Sequence, residues 1–368
     1  MQRNSLSAIL IVLAAGVLWG TVGPAEILAH SPAGPVAIGG ARILSGGLVL
    51  TVIMLVRDPG AVRALPRSAW PALLAAAAAT AIFQATFLTS AARSGAAVAT
   101  AITFGVAPVS TGLCDRIMLG TRLPRRWAAG TACAIAGCAL ISVPLSAPLS
   151  SSHGAGSAGP AGGDILGIAC GVVAGCCFGV YTVSAKRLIQ GNVNMQAAVP
   201  VTLLLGGAVL APWTLSALPG LAAPRSLGLI AWLGPATVAL AYWLYVAGLR
   251  GLTAATAGTL SLAEPLVATA LGIGILHERL SLPIATGTLL LLGGLILVSI
   301  SWPRVASRPE TRVGPPPSSR LEFAGTGFAA WPTERGQGMS PPTVVDQTTV
   351  AERARPTPSA RAIPHPPL

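Results

Sequence analysis

Apolar runs of about 20 residues, parted by short polar or glycine- and proline-bearing turns, recur along the chain from residue 6 to residue 302. A helix rising 1.5 Å per residue crosses the hydrocarbon layer of a bilayer in about 20 residues, so each run predicts one membrane span. Ten spans are predicted, at 6–28, 35–56, 69–91, 96–116, 127–144, 164–186, 196–215, 227–248, 254–275 and 283–302. The first run starts with one arginine, like a signal peptide, but no small-x-small cleavage site follows closely, and an uncleaved first span is expected. Trp70, Trp127, Trp213 and Trp302 fall near span ends, where an amphipathic ring prefers the interface, whereas Trp19 and Trp243 do not.

The runs repeat. A shift of 157 residues lays Ala92-Arg93 on Leu249-Arg250, Pro108 on Pro265, Arg122-Leu123 on Arg279-Leu280, Gly130 on Gly287 and Gly137 on Gly294. A shift of 159 lays Gly16-Val17-Leu18-Trp19-Gly20 on Gly175-Cys176-Cys177-Phe178-Gly179. The chain therefore divides into a first five-span half, 1–145, and a second, 164–303. Because five is odd, the second half enters the membrane with the opposite orientation, the inverted-repeat plan of secondary transporters. That plan places substrate sites at the repeat interface beside broken helices, and Pro108 and Pro265 are the paired interruptions expected of it. The alternative is that both prolines merely kink ordinary spans. The expected fold class is an all-α membrane protein of ten transmembrane helices in two inverted five-helix repeats.

Between the halves, residues 146–163 are rich in Gly, Ser, Ala and Pro and lack Lys and Arg, as a flexible external linker would. His153 within it has no second ligand nearby and reads as solvated. Residues 304–368, with their PPPSS, PPT and HPPL stretches, read as a disordered cytoplasmic tail. Glycines at 163, 167, 171, 175 and 179 keep a four-residue period through the sixth span, a flat face against which a neighbouring helix can pack closely.

Composition narrows the class. Hydrophobic residues make up 53% and charged residues 9% of the chain, against about 25% charged in a soluble domain. The net charge of +12 invites a nucleic-acid partner, but topology accounts for it better. Eleven Lys and Arg residues, from Arg3 through Arg57, Arg122 and Lys186 to Arg250, lie at alternate span ends on one side, and only Arg93, Arg225 and Arg279 on the other. The positive-inside rule makes the first side cytoplasmic, with both termini there. The partners expected are the lipid bilayer and a small-molecule substrate, with proton coupling and a homodimer both left open.

Cys114, Cys133, Cys138, Cys170, Cys176 and Cys177 lie in or at the edge of spans, without a CxxC pair or a histidine at ligand spacing, and read as small apolar residues. No metal and no cofactor is expected. The chain has no G-x-x-x-x-G-K-[ST], no HExxH and no nucleophile elbow with triad partners, so no ATPase or other enzyme is indicated.

Few ionisable groups lie within the spans. Glu264 stands ten residues into the ninth, where a carboxylate costs roughly 2.5 to 3.5 kcal/mol on insertion scales and must face protein or water. Pro265, beside it, has no N–H and clashes with the carbonyl of Ser261. Arg42 lies about seven residues into the second span. It either snorkels outward or pairs with Glu26, or faces a cavity and offers its guanidinium fork to Glu264 or to a substrate carboxylate. Trp19, Thr21, Gln84, Thr103, Tyr181, Tyr242, Trp243 and Tyr245 are the polar and aromatic residues that would complete such a cavity, which suits an amphipathic or cationic metabolite. Asp115, Arg116, Asp164 and Lys186 fall at span ends and read as interface or topology residues.

These motifs resemble the EamA-type transporters of the drug/metabolite transporter superfamily. In the first half the resemblance rests on Leu18-Trp19-Gly20 and on Ala41-Arg42 opening a leucine-rich span. In the second it rests on Glu264-Pro265-Leu266, Leu276-His277-Glu278-Arg279-Leu280-Ser281, Gly287 and Gly293-Gly294. It implies ten helices, cytoplasmic termini, a bacterial inner-membrane location and transport of small metabolites, often amino acids, commonly outward. One departure is that the first half has Thr121 where the second has Glu278, and His277 replaces the family's glycine. Two other readings remain: a non-transporting sensor or scaffold acting through its tail, and a channel.

Overall fold

The computed structural model describes residues 2–142, 165–277 and 280–300, so the 146–163 linker, the 304–368 tail and the Glu278-Arg279 pair lie outside the described residues. The first span is α1 (Gln2–Gly20) followed by α2 (Val22–Ala29), and the second is α3 (Pro35–Arg57). A 3₁₀ turn, Arg67–Ala69, leads into α4 (Trp70–Ser94), after which come α5 (Ala96–Leu119) and α6 (Arg125–Ser142). The second half holds α7 (Ile165–Gln190), α8 (Met195–Ser216), the short α9 (Leu218–Leu221) and α10 (Pro224–Trp232). A π-helical stretch, Leu233–Leu240, joins α10 to α11 (Ala241–Leu249). The ninth span is two half-helices, α12 (Ala254–Leu260) and α13 (Ala263–Gly274), and α14 (Leu282–Ile300) is the last.

Nine spans among the described residues are long and apolar enough to cross a membrane. The tenth expected span is α6, which opens on Arg125-Arg126 and is diluted by them. It lies along α14 through glycines. A Cβ on Gly294 would come within 2.6 Å of the Gly130 carbonyl oxygen, and one on Gly287 within 2.8 Å of that of Gly137. As the α6 number rises the α14 number falls, so these repeat mates run antiparallel, as inversion requires.

The halves interleave. The principal helix contacts are α4 with α7, α5 with α7, α3 with α8, α6 with α14, and α1 with α11 and α13, each joining one half to the other. Exchanging every helix for its repeat mate maps this set onto itself: α5 on α7 becomes α13 on α1, and α4 on α7 becomes α11 on α1. The architecture is thus an all-α membrane fold with two inverted repeats.

One pair of mates shows the symmetry residue by residue. A Cβ on Gly16 would meet Ala263 at 2.9 Å, and one on Gly20 would meet Val267 at 2.6 Å and the Glu264 carbonyl at 2.8 Å. In the other copy a Cβ on Gly175 would meet Val106 at 2.7 Å, and Gly179 faces Ser110 and the Thr111 backbone. Ala263 and Val267 are the mates of Val106 and Ser110. The glycine stripe of the sixth span therefore serves close packing, with Gly167, Gly171, Gly175 and Gly179 set against α4 and α5.

The expectation of paired helix interruptions needs a correction. Pro265 accompanies a break, but Pro108 sits inside the continuous α5. The second interruption is elsewhere, between α1 and α2 at Thr21, whose N–H and hydroxyl both donate to the Leu18 carbonyl at 3.2 and 2.7 Å.

Candidate functional site

The break in the ninth span starts from a missing donor. Pro265 has no N–H to give the Ser261 carbonyl, so the Glu264 N–H takes that acceptor at 3.0 Å, and Leu262 N–H donates to Thr259 at 3.1 Å. These tighter turns end α12 and restart the chain as α13, with Glu264 in its first turn. Helix N-termini favour negative charge, so the backbone placing the carboxylate also supports it. Thr253 caps α12 from the other end, its hydroxyl accepting from Thr256 N–H at 3.2 Å.

Arg42 comes to the same region from α3. Its Nη2 donates to Gln84 Oε1 of α4 at 3.3 Å, and its Nε is buried without a hydrogen-bond partner. Gln84 is 3% exposed and lies flat against Gly39, one turn before Arg42. Glu264 and Glu26 both lie within Coulombic range of the Arg42 guanidinium, as does Tyr242. Arg42 is thus within electrostatic reach of the carboxylate of the first span and of that of the ninth, and its hydrogen bond goes to Gln84.

An aromatic cluster adjoins this charge set. Trp19 stands 5.6 Å from Tyr242, 5.3 Å from Tyr245 and 6.3 Å from Phe178, ring centre to ring centre, and Tyr181 stands 5.4 Å from Tyr242. Most pairs are edge-on or tilted, the arrangement that sets a ring's positive edge against its neighbour's negative face. Trp19 Nε1–H donates to the Thr237 carbonyl at 2.9 Å, within the π-helical stretch. Tyr245 is fully buried, with its hydroxyl 3.0 Å from that of Thr182.

Of the residues singled out by sequence, Glu264, Arg42, Trp19, Gln84, Tyr181, Tyr242 and Tyr245 come together where the two halves meet. Trp243 does not join them. It is 50% exposed on the outer face, beside Met195, Gln196 and Arg250. Thr103 serves packing, donating to the Gly171 carbonyl at 3.2 Å, and Thr21 turns the chain between α1 and α2. Sequence reasoning passed over Phe178, although it is the repeat mate of Trp19 and that correspondence was available to find it. Phe83, 6.4 Å from Phe178, carried no such signal.

A polytopic helical fold of two inverted repeats, with an arginine, a glutamate within its electrostatic reach and aromatic rings at their junction and a broken helix beside them, defines a membrane transporter class. The EamA-like transporter family matches the chain twice, over residues 6–143 and 165–300, and the chain belongs to that family. It is 32% identical over 301 residues to the uncharacterized transporter YwfM of Bacillus subtilis (strain 168), covering 81% of this chain and 95% of that protein. A solved crystal structure of a protein shares the fold with a TM-score of 0.64 at 20% identity, covering 80% of this chain and 96% of that one. The protein is an integral, multi-pass membrane transporter.

Proposed function

We propose that the protein is a secondary active transporter that exports or exchanges a small organic metabolite, an amino acid or a related solute, by alternating access between its two halves. The observation that carries this reading is the convergence of Arg42, Gln84, Glu264 and Tyr242, drawn from both halves, beside the break at Ser261-Leu262. Glu264 is the coupling or substrate-contacting acid. Protonation removes the cost of its charge in one state, and a proton or solute that binds the two forms unequally shifts the balance between them. Arg42 supplies the fixed positive fork for Glu264 or for a substrate carboxylate. The aromatic rings give the apolar part of a solute a surface shared by both halves. Basic residues concentrated at one end of the spans favour a cytoplasmic position for that end and for both termini, in a bacterial inner membrane.

The test begins with a thermal-shift screen of the purified protein against amino acids, polyamines, nucleosides and cationic compounds. A solute found there is then used for flux in proteoliposomes. Glu264→Gln is expected to lower flux about tenfold or more and to flatten its dependence on pH, as loss of a positioned proton-carrying group does. Unchanged rate and pH dependence would remove Glu264 from the mechanism.

A further inference from the structure

At the end of the molecule that carries the basic loops, two charged side chains grip one turn. The turn joins α11 to α12 through Arg250–Thr253; Leu252 within it and the flanking Leu249, Ala254 and Ala255 are at most 1% exposed. Lys186 of α7, the sole lysine of the chain, donates from Nζ to the carbonyls of Leu249 at 2.8 Å and Leu252 at 2.6 Å. Asp115 of α5, 1% exposed, accepts from the Ala255 backbone N–H at 2.8 Å through Oδ2 and from the Thr121 hydroxyl at 2.7 Å through Oδ1. The two charges lie within Coulombic range of each other. One half thus holds the start of α12 and the other holds the end of α11, with a cation and an anion facing across the turn.

A second observation concerns the opposite end. The repeat mate of Asp115 is Gly272, and that of Lys186 is Ile27, so the equivalent places there hold no charge. This carboxylate and this ammonium therefore have no counterpart at their mate positions. Below it, α12 is seated against the first half by small contacts: Gly258 lies against Thr111, where an added Cβ would come within 2.8 Å, and Thr259 Oγ1 meets Thr131 Oγ1 at 2.9 Å. An opening of the Glu264 region toward the basic-loop face that lifts α12 off α5 separates Asp115 from Ala255.

We propose that Asp115 and Lys186 are positioning residues of a one-sided gate: together they keep the α11–α12 turn docked, and its release opens the site at the ninth-span break to the basic-loop face. This rests on the alternating-access reading but concerns which side is latched, not what is carried. The polar clamp favours the state closed on the basic-loop side, because leaving the buried Asp115 or the half-buried Lys186 unpaired is unfavourable.

The test needs no solute, so its outcome is independent of the flux experiment on Glu264. With the native cysteines replaced, Ala257→Cys puts a single thiol in the middle of buried α12. Its labelling by a membrane-impermeant maleimide is followed separately from each face in right-side-out and inverted vesicles. Asp115→Asn is expected to raise labelling from the basic-loop face at least about tenfold with no rise from the opposite face. Lys186→Met does the same, and Lys186→Arg restores slow labelling. Should Asp115→Asn fail to yield folded protein, the two lysine variants carry the test. Unchanged labelling, or a rise equal from both faces, overturns the gate and leaves the residues a purely structural role.

Discussion

In one half-to-half contact α7 runs unbroken past Gly175 and Gly179 along an unbroken α5, and two hydroxyls fasten the pair. Thr103 donates to the Gly171 carbonyl at 3.2 Å and Ser110 to that of Cys176 at 3.2 Å. In the other copy, α1 stops just after Gly20, its partner is split at Ser261-Leu262, and the places of Thr103 and Ser110 are taken by Leu260 and Val267. The glycines are the same, but the α1–α13 contact has no cross-helix hydroxyl at those places and both its helices are broken. Glycine seams let backbones approach; hydroxyl-to-carbonyl bonds between helices then add to the hold, averaging about 0.6 kcal/mol each. One pair is thereby suited to stay fixed, and the other, which carries Trp19 and Glu264, to move.

The most severe way to break this comparison is Gly20→Val. Its side chain would enter the space of Val267 and the Glu264 carbonyl, an overpacking of about 1–3 kcal/mol with no flexible atom to yield on the backbone side. Flux is expected to fall at least about tenfold, because under the proposed alternating access this broken pair is the one that moves. The check is proteoliposome flux, with size-exclusion behaviour monitored in parallel.

Pro265→Ala and Pro108→Ala sharpen the comparison. The first restores a donor to the Ser261 carbonyl and is expected to join α12 to α13, raising thermal stability while flux falls several-fold, since proline interrupts a helix by about 3 kcal/mol. The second acts in a helix that is already continuous, so its effect on flux is expected to stay within about twofold. Equal effects from the two would mean that the break itself does not matter.

The smallest effect belongs to the double variant Thr103→Val with Ser110→Ala. Loss of both hydroxyls is expected to lower stability by about 1 kcal/mol, read as a shift of the unfolding midpoint in denaturant, and to loosen α5 against α7.

The spans, their bounds to within a few residues and the two-fold repeat were legible in the chain because lipid leaves a helix little choice: its length is set by the bilayer and its backbone bonds are internal. Glu264 and Arg42 were legible for the same reason, since a charge inside an apolar run stands out. Phe178 was within reach only as the repeat mate of Trp19, and Phe83 was not, because an aromatic residue facing a site and one facing lipid look alike in an apolar run. Trp243 shows the converse: it adjoins Tyr242 in sequence yet points outward.

Asp115 and Lys186 mark the limit most clearly. By position they are span-end charges, indistinguishable from residues that only meet water; in the fold they close on backbone groups far away in sequence. The breaks divide in the same way. Sequence alone determined that a proline follows Glu264 and that another occupies the matching place in the first half. Only the tertiary structure decided that one helix parts and the other does not. A proline always frees a carbonyl, but whether the helix continues depends on what packs against it. Along α5 the hydroxyls of Thr103 and Ser110 bind it to α7, whereas beside α13 the nearest neighbour is α1, itself interrupted at Thr21.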